Sequence, residues 1–487
     1  MQHFLKHLRL FLILIVSLLL FLISCSKKES SSSTYSTATV TCASSRALTA
    51  STKVPLLVVR VQYANATFQS SETIWADKIF GTSDGQLNHY LAETTYSKYQ
   101  FTPVTETSGC TNDGVVTVTM SGNHPDTQKN SWACYAATAI SATDSSVNYA
   151  AYDTDGNGKL SVTELQVIFM VAGGESASGI NSPGGVWGMA TSLYCDANGD
   201  GNVSNDSGES FMTLDNVSLL DSDYYGQNGY SQFGELQGSS STDTWDATMG
   251  IIAHELGHAY FRLPDLYDTS SPSVGEGIGA FGLMGSGSWG QKSLSEKGGA
   301  TPVHLSAWSK EKIGACVPQT VNNGTNNITL PAVYKSSIHA ASCEIYKATT
   351  STSGEYFLFE NRSPGGYDEG LYLTIKWGDT TYVPSSIIYF TGGVAIWHVK
   401  DILSSCSGSN NCEAQSPKLV DLEEANDADL DNASSRGRTT HLFYSSNSAT
   451  FDNSSTPNSK LYDNSSSGIS ATSISAAGDS MTLTISK

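Results

Sequence analysis

The hydrophobic pattern along the chain predicts a mixed α/β region first. Residues 54–61 are nearly all apolar and β-branched, which predicts a buried strand, and residues 165–172 repeat this pattern. Helical spacing of apolar residues predicts helices at 71–80, 86–99 and 132–142. Strands that alternate with helices in this way are typical of a sheet with helices packed on its faces.

The pattern changes twice further along the chain. The segment 180–248 is rich in Gly, Ser, Asp and Asn, which predicts a long irregular loop, and an apolar run from Met249 then predicts a buried helix. Beyond about residue 323 the helical signal fades, and a β-rich domain is predicted instead. Its clearest predicted strands cover residues 355–360, 393–399 and 481–485.

The first residues have the composition of an export signal. A basic start with Lys6 and Arg9 precedes an apolar run at 10–23, which is too short for a comfortable membrane span. The run ends in Leu22-Ile-Ser-Cys25, which resembles the lipobox of bacterial lipoproteins. That resemblance implies cleavage before Cys25 and a lipid on this residue, which would anchor the chain on the periplasmic or cell-surface side. An ordinary secretory signal with a coincidental cysteine is the alternative.

A Ser/Thr-rich stretch follows Cys25 and has too little apolar content to pack, so it predicts a flexible tether. The rest of the chain is long enough for a large core and two domains. The predicted organisation is therefore a signal peptide at 1–24, a tether at 25–53, an α/β domain at 54–322 and a β-rich C-terminal domain at 323–487.

Charge and cysteine content narrow the class of protein. The formal net charge of −20 disfavours nucleic acid and anionic lipid headgroups as partners, and it is compatible with bound Ca²⁺. Nine cysteines less Cys25 leave an even number, which in an exported protein predicts disulfides rather than a thiolate metal site. The sequence does not fix their pairing, but proximity along the chain favours Cys406–Cys412, Cys110–Cys134 and Cys316–Cys343.

The strongest chemical signal is the segment His254-Glu255-Leu-Gly-His258. On an α-helix, residues i and i+4 share one face, so His254 and His258 can bind one Zn²⁺ between them. Zinc brings the pKa of a bound water to about 7, and Glu255 is placed to take a proton from that water as a general base. A surface helix with two unconnected histidines is the alternative. The spacing predicts a zinc peptidase.

A catalytic zinc site needs a third protein ligand and one open position. Asp265 is the nearest carboxylate after His258, and Pro264 ends the helix, which allows the chain to turn back toward the metal. A loop carboxylate that binds backbone groups or Ca²⁺ is the alternative interpretation of Asp265. Glu276 and His304 are further candidates for the third ligand.

Two other residues deserve a functional and a structural interpretation. Tyr267 is a candidate to donate a hydrogen bond to the oxyanion of the reaction, and packing within its loop is the alternative. His398 lies in a predicted strand, so we interpret it as a core histidine whose hydrogen bonds are satisfied.

The motifs around the histidines resemble those of the M6 (immune inhibitor A) family of bacterial zinc metallopeptidases. The resemblance rests on His254-Glu-Leu-Gly-His followed by Leu263-Pro-Asp-Leu-Tyr-Asp, and on residues 281–289 and 302–310. It implies an α/β zincin-like catalytic domain, in which a twisted sheet packs on the HExxH helix and Met284 lies in a turn under the metal. Further blocks with the same resemblance extend from residue 54 to the C-terminal strands.

One position departs from the family pattern. The family has Gly three residues after the second histidine and Asp three residues after that Gly. Here Phe261 stands at the Gly position and Asp265 arrives one residue late. A bulky residue at a turn that favours Gly implies a different exit from the helix. The resemblance therefore does not by itself assign Asp265 as the third ligand.

Residues 153–164 have the spacing of an EF-hand calcium loop, with Gly158 at its sharp turn. The expected ligands are Asp153, Asp155, Asn157, the carbonyl of Lys159, Ser161 and Glu164. An acidic turn without metal is the alternative. A second loop begins in the same way but has Ser207 where the closing Glu would stand, so it is a weaker candidate. Its potential calcium ligands are Asp196, Asn198, Asp200 and Asn202.

Together these patterns predict an exported, lipid-anchored zinc endopeptidase that is stabilised by Ca²⁺. We expect a monomer with protein or peptide substrates and no nucleic acid partner. One alternative is a Ca²⁺-dependent surface adhesin that kept the peptidase fold and lost activity through the altered helix exit. A peptidase restricted to itself or to one partner is another. The third ligand distinguishes the endopeptidase from the adhesin, because a carboxylate at the metal supports catalysis.

Overall fold

The computed structural model describes most of the chain from Ala50 onward. The described residues are 50–128, 132–191, 193, 213–219, 229–270, 273, 275–335, 343–372, 390–406, 410–414, 416–426, 429–432 and 435–487. None of their helices combines the length and apolar character that a membrane crossing requires. Outside them lie the predicted signal peptide, nearly all of the tether, and the predicted site residues Cys25, Asp196, Asn198, Asp200 and Asn202.

An eight-stranded sheet organises the N-terminal half of the molecule. The strands before residue 249 are β1 (Thr52–Gln62), β2 (Tyr99–Pro103), β3 (Val115–Thr119), β4 (Gln166–Glu175), β5 (Gly185–Val186), β6 (Met189–Thr191), β7 (Thr213–Leu214), β8 (Val217–Ser218), β9 (Tyr230–Ser240) and β10 (Asp243–Asp246). The order β2-β1-β4-β9 is parallel, and β10 and β6 both pair antiparallel with β9. β3 pairs parallel with β1, and β5 pairs parallel with β4. β7 and β8 pair with each other.

The two predicted buried strands are β1 and β4, and all ten residues of β4 are buried. The prediction of an irregular loop over 180–248 is wrong for β9, which is a central strand of this sheet. The strand is difficult to recognise in the sequence because several of its buried side chains are polar. These buried polar residues are Ser231, Gln232, Glu235 and Gln237.

The described residues up to 312 contain five α-helices. They are α1 (Glu72–Phe80), α2 (Leu87–Thr94), α3 (Ala133–Ser141), α4 (Met249–Ala259) and α5 (Ala307–Lys312). The predicted helices at 71–80 and 132–142 are confirmed to within one residue at each end. The helix predicted at 86–99 ends at Thr94, because Tyr96 and Ser97 have φ values of 52° and 57° and turn the chain into β2.

The described C-terminal part consists mainly of strands, in agreement with its hydrophobic pattern. The strands are β11 (Gln319–Thr320), β12 (Thr325–Pro331), β13 (Tyr346–Thr349), β14 (Glu355–Arg362), β15 (Gly393–Lys400), β16 (Val420–Leu422), β17 (Ser470–Thr472) and β18 (Ser480–Ser486). They form a five-stranded sheet of order β11-β13-β14-β15-β16 and a three-stranded sheet of order β12-β18-β17. A short helix, α6 (Leu403–Cys406), follows β15.

One hydrophobic core joins the two halves. It contains Leu256 of α4 and Phe281 together with Leu358 of β14, Trp397 of β15 and Leu442, all of them 1% exposed or less. The described residues accordingly fall in one compact unit. The predicted boundary between residues 322 and 323 stays a prediction.

Candidate active site

Helix α4 carries His254, Glu255 and His258 and is buried along its whole length. It begins after Thr248, whose backbone N–H donates to Gln237 Oε1 of β9 at 3.0 Å. This bond satisfies one of the free N–H groups that every helix start leaves. The sheet therefore fixes where the helix begins, and the helix spacing then brings the two imidazoles to one face.

The turn that contains Met284 lies directly against α4. A Cβ atom at Gly257 would lie 2.6 Å from Met284 Sδ, so a side chain at this helix position would displace the Met284 side chain. The carbonyl oxygen of Leu283 lies 3.0 Å from His254 Nδ1. Met284 itself is buried against Gly257 of α4.

Three potential ligand atoms converge beside this helix. Asp265 Oδ1 lies 3.1 Å from His254 Nε2 and 3.2 Å from His258 Nε2, and the two Nε2 atoms are 3.2 Å apart. All three residues are buried. The structure thus brings Asp265 to the two histidines, despite its late position in the sequence.

The hydrogen bonds of the imidazoles determine which nitrogen carries the proton. His254 Nδ1 lies 3.0 Å from the Leu283 carbonyl oxygen, and His258 Nδ1 lies 2.6 Å from the Leu263 carbonyl oxygen. Because a carbonyl only accepts, each neutral ring has its proton on Nδ1 and presents a bare lone pair at Nε2. Among the described residues no donor is aligned with Asp265 Oδ1 for a hydrogen bond. With both rings neutral, three acceptor atoms therefore face one another.

This arrangement suits a zinc ion. Tetrahedral zinc with ligands at about 2.0–2.1 Å has ligand-to-ligand distances of about 3.3 Å. The observed separations of 3.1 to 3.2 Å are close to that value. Two imidazole nitrogens and one carboxylate oxygen also form a common donor set of catalytic zinc, which leaves one position open.

Protonation competes with a cation at this centre. Burial lowers the pKa of His254 and His258, but the Asp265 carboxylate outweighs burial and raises both values. Burial likewise raises the pKa of Asp265, and the two imidazoles reverse this and hold it well below its usual range. A metal must displace the proton that Asp265 and the imidazoles bind together. Metal uptake is therefore favoured as the pH rises.

Glu255 lies next to the three ligand atoms but is not one of them. Its side chain is 3% exposed, and among the described residues no donor reaches its Oε2. Burial, with smaller contributions from Asp265 and Glu175, raises its pKa to about 8 against the opposing effect of His254. A buried carboxylate whose pKa is raised toward neutrality can take up and release a proton, as a general base must.

The chain leaves α4 through a turn that is one residue longer than a usual helix end. Phe261 N donates to Leu256 O at 3.3 Å, and Leu263 N donates to Gly257 O at 3.0 Å. The left-handed residue is Arg262, with φ 58°, rather than Phe261 at the family's Gly position. The predicted change of helix exit is present, and its extra residue is absorbed before Asp265.

Phe261 has a packing role in this exit. Its ring lies 5.0 Å from that of Tyr99 and 4.9 Å from that of Tyr260, in edge-to-face geometry. These contacts explain why an apolar side chain, and not glycine, suits this position.

Tyr267 lies close to the site. Burial raises its pKa above the usual range, and the carboxylates of Asp265 and Glu255 add to this effect. The other candidates for the third ligand are engaged elsewhere. Glu276 pairs with Arg436, and His304 Nε2 lies 2.7 Å from Glu93 Oε1.

His398 has the satisfied environment that the sequence predicts. Its ring nitrogens lie 3.2 Å from Glu423 Oε1 and 3.0 Å from Glu355 Oε1. The rings of Phe357 and Tyr462 stack on it from two sides. We assign it to the core of the C-terminal sheet.

The predicted calcium loop forms a compact turn. The carboxylates of Asp153, Asp155 and Glu164 offer oxygen atoms within 4.8 Å of one another. Gly158 has φ 77° at the predicted sharp turn, and Asn157 Oδ1 accepts a hydrogen bond from Lys159 N. The main chain of Lys159 bridges to β8, which anchors the loop to the rest of the fold.

Glu164, at the last ligand position, closes this loop. Its Oε1 accepts from Thr154 N at 2.9 Å and its Oε2 from Ser161 N at 3.0 Å. Partial burial raises the pKa of Glu164, but the hydrogen bonds from Ser161 and Thr154 outweigh burial and lower it to about 2. The carboxylate is therefore ionised, as a calcium ligand must be.

Two of the three predicted disulfides are present, Cys316–Cys343 and Cys406–Cys412. Cys110 and Cys134 are each disulfide-bonded as well, and their pairing with one another stays a prediction. The cysteines of the described region thus serve as cross-links, as their even number predicts.

Sequence analysis missed two residues near the site. Asn410 contacts Asp265 with its side-chain amide, and no spacing rule connects positions so far apart. Glu175, at the end of β4, accepts hydrogen bonds from the backbone of Gly188 and Gly234 and fixes the strands beside α4. The apolar run before Glu175 was a usable signal, because a carboxylate directly after a buried strand needs partners.

Comparison with known proteins agrees with this site. Residues 130–317 match the family model described as "Immune inhibitor A peptidase M6, catalytic domain". The matched segment contains α4, Asp265 and the Met284 turn, and it confirms the family resemblance seen in the motifs. This segment is therefore similar to the catalytic domain of the M6 peptidases, a class of metal-dependent hydrolases.

A particular relative is the pre-pro-metalloprotease PrtV of Vibrio cholerae serotype O1, in two strains. The identity is 42% over 66 residues, which are 14% of this chain. They are also only 7% of PrtV, so the chain matches a small part of that protein's length.

Proposed function

We propose that the protein is an exported, lipid-anchored zinc endopeptidase that hydrolyses peptide bonds with Glu255 as the general base. The observation that carries this proposal is the convergence of three buried ligand atoms, from His254, His258 and Asp265. The M6 match and the metalloprotease relative support the same class of reaction. Export and the lipid on Cys25 rest on the sequence of the first 25 residues.

The residues around the metal position have separate roles in this proposal. Zinc bound by His254, His258 and Asp265 would supply Lewis acidity, which polarises the substrate carbonyl and brings the pKa of water near 7. Glu255 takes a proton from the attacking water and passes it to the departing amine. Tyr267 donates to the oxyanion that develops at the former carbonyl oxygen.

Substrate binds in this proposal as an added strand along β6. Within the described part of the chain β6 pairs with β9 alone, so its other edge offers backbone donors and acceptors. A Cβ atom at Gly188, directly before β6, would lie 2.9 Å from Ile251 Cδ1 of α4, so this edge passes close to the site helix. An extended peptide on β6 would thus run past Glu255.

The adhesin alternative requires that the altered helix exit keeps Asp265 away from the two histidines. Asp265 Oδ1 lies 3.1 and 3.2 Å from the two imidazole nitrogens, which favours catalysis over that alternative. A peptidase restricted to one partner would share this geometry, and it is distinguished by inactivity on casein with zinc fully bound.

Metal removal tests the proposed function. We expect the full chain to contain about one zinc per molecule and to hydrolyse casein, because the site has three ligands and one open position. A chelator should abolish hydrolysis, and Zn²⁺ should restore it where Ca²⁺ alone does not. Zinc content by elemental analysis and casein hydrolysis are measured on the same samples. Hydrolysis that persists in zinc-free protein, or a zinc-loaded protein inactive on casein, would contradict the proposal of a general zinc endopeptidase.

We also propose that the 153–164 loop binds one structural Ca²⁺. Its carboxylates lie within 4.8 Å of one another, and Glu164 is ionised. Binding of the ion would hold residues 153–164, directly before β4, in one conformation. The loop lies before the strand that carries Glu175, so calcium would stabilise the sheet beside the site.

Calcium should therefore stabilise the wild-type chain and not Glu164→Ala. At a Ca²⁺ concentration of 100 times Kd, the free energy of unfolding should rise by about 2.7 kcal/mol. Glu164→Ala removes the closing ligand, so the added stability should disappear. Thermal unfolding with and without Ca²⁺ measures this effect. Thr163→Ala is the matched control, since Thr163 is exposed and is not at a ligand position. An equal response of Glu164→Ala and the control would rule out the loop as the calcium site.

A further inference from the structure

A side chain from the C-terminal half of the protein contacts the third ligand of the proposed zinc site. Asn410 Nδ2 donates to Asp265 Oδ2 at 2.6 Å. In the opposite direction, Asp265 N donates to Asn410 Oδ1 at 2.8 Å. One amide therefore contacts both the carboxylate and the backbone of the same residue.

These two bonds fix the orientation of the Asp265 carboxylate. Because Oδ2 accepts from Asn410, Oδ1 is the oxygen that faces His254 and His258. Without the amide the carboxylate would lose the partner of Oδ2 and could rotate about its side-chain bonds. An ordered carboxylate loses less conformational freedom when a metal binds, so its affinity is higher.

Asn410 is itself presented by a cross-linked loop. The disulfide Cys406–Cys412 joins two positions on either side of Asn410, with a sequence separation of 6. Two further bonds attach the loop to the segment behind Asp265. Thr269 N donates to Asn411 Oδ1 at 3.1 Å, and Thr269 Oγ1 donates to the Asn410 carbonyl oxygen at 3.4 Å.

The backbone of Asn410 also points to a specific role. Its φ of 48° lies in the left-handed region, which asparagine and glycine adopt more readily than other residues. Glycine would suit this backbone equally well, but only asparagine also supplies the donor and the acceptor that Asp265 uses.

We propose that Asn410 is a positioning residue for the third metal ligand, and that the Cys406–Cys412 cross-link keeps it in place. This inference rests on the proposed zinc site and extends it to a residue 145 positions away in the chain. Zinc affinity would then depend on the segment around Asn410. In the described structure this segment contacts Asp265 and no other proposed zinc ligand.

Asn410→Gly is the variant that tests this role. It preserves the left-handed backbone and deletes the amide, so folding should be retained. We expect the zinc Kd, measured by competition with a chelator of known affinity, to rise about 10–100-fold. The kcat for peptide hydrolysis by zinc-loaded protein should fall more than KM changes, because the amide contacts the metal ligand and not the proposed substrate edge.

Two further variants separate this role from loop stability. Asn411→Ala deletes the neighbouring bond to Thr269 and should leave the zinc Kd near the wild-type value. The double variant Cys406→Ser/Cys412→Ser keeps Asn410 but opens the loop, and it should weaken zinc binding in the same direction as Asn410→Gly. Thermal unfolding of the zinc-free proteins shows that each variant is folded.

The outcomes are distinct. If wild-type protein binds zinc and hydrolyses peptide while folded Asn410→Gly binds zinc equally well, Asn410 has no positioning role. If Asn410→Gly weakens zinc binding but the double cysteine variant does not, the cross-link is not what keeps Asn410 in place. A wild-type chain that binds no zinc would overturn the proposed function, and this inference with it.

Discussion

Glu255→Gln is expected to abolish most peptide hydrolysis while zinc remains bound. The amide has nearly the shape of the carboxylate but cannot take a proton from water, and general base catalysis contributes about 10²–10⁴-fold to such rates. Glu255 is not among the three converging ligand atoms, so the zinc content should equal that of the wild type. The measurement is kcat/KM for a casein-derived peptide, with zinc determined on the same samples. Loss of zinc together with activity would instead make Glu255 part of the metal site.

The stability of the zinc-free proteins provides a control that does not depend on activity. Burial raises the folded-state pKa of Glu255 from 4.5 to about 8, so the folded protein binds a proton there that the unfolded chain releases. This contribution to the free energy of unfolding is fully present below pH 4.5 and is lost as the pH rises toward 8. Glu255→Gln lacks this group. The stability difference, variant minus wild type, should therefore grow between these pH values.

Asp265→Ala is expected to remove zinc binding rather than to slow one step of the reaction. It deletes the third ligand and leaves two imidazoles that cannot complete a catalytic site. Loss of a ligand's hydrogen-bonding partner weakens metal binding about 10–100-fold. Loss of the ligand itself should raise the zinc Kd by more than this. Chelator competition measures this affinity.

The matched control for this variant is Asp268→Ala. Asp268 is a buried carboxylate in the same loop, and its Oδ1 accepts from Ser270 N at 2.8 Å. It is not among the converging ligand atoms, so its removal should cost stability without a comparable loss of zinc affinity. Equal zinc affinities of Asp265→Ala and wild type would show that another residue supplies the third ligand.

The parts of the site that depend on local spacing were predictable from the sequence. His254 and His258 share a face because four residues make about one helical turn, and this holds wherever the helix lies. Asp265 was harder, because its position depends on a turn in which Arg262 adopts φ 58°. The family pattern placed the left-handed residue one position earlier, so spacing alone could not show that the extra residue is absorbed.

Long-range contacts account for what was missed. Strand β9 escaped detection because Gln232 and Glu235 are polar yet buried, whereas the usual signal for a central strand is a continuous apolar run. Asn410 escaped because its contact with Asp265 joins positions 145 residues apart. Periodicity reports which face of an element is buried, but it cannot report which distant polar group lies against that face.

The shared core has a consequence for any attempt to prepare a minimal peptidase. A fragment that ends at residue 317, where the family match ends, would retain His254, His258 and Asp265. It would lose the fully buried Arg362, whose Nη1 donates to the Phe281 carbonyl oxygen beside the Met284 turn. It would also expose the apolar surface that Trp397 now covers. Such a truncation would retain the zinc-binding motif but expose apolar surface that is now covered, and would be prone to aggregate.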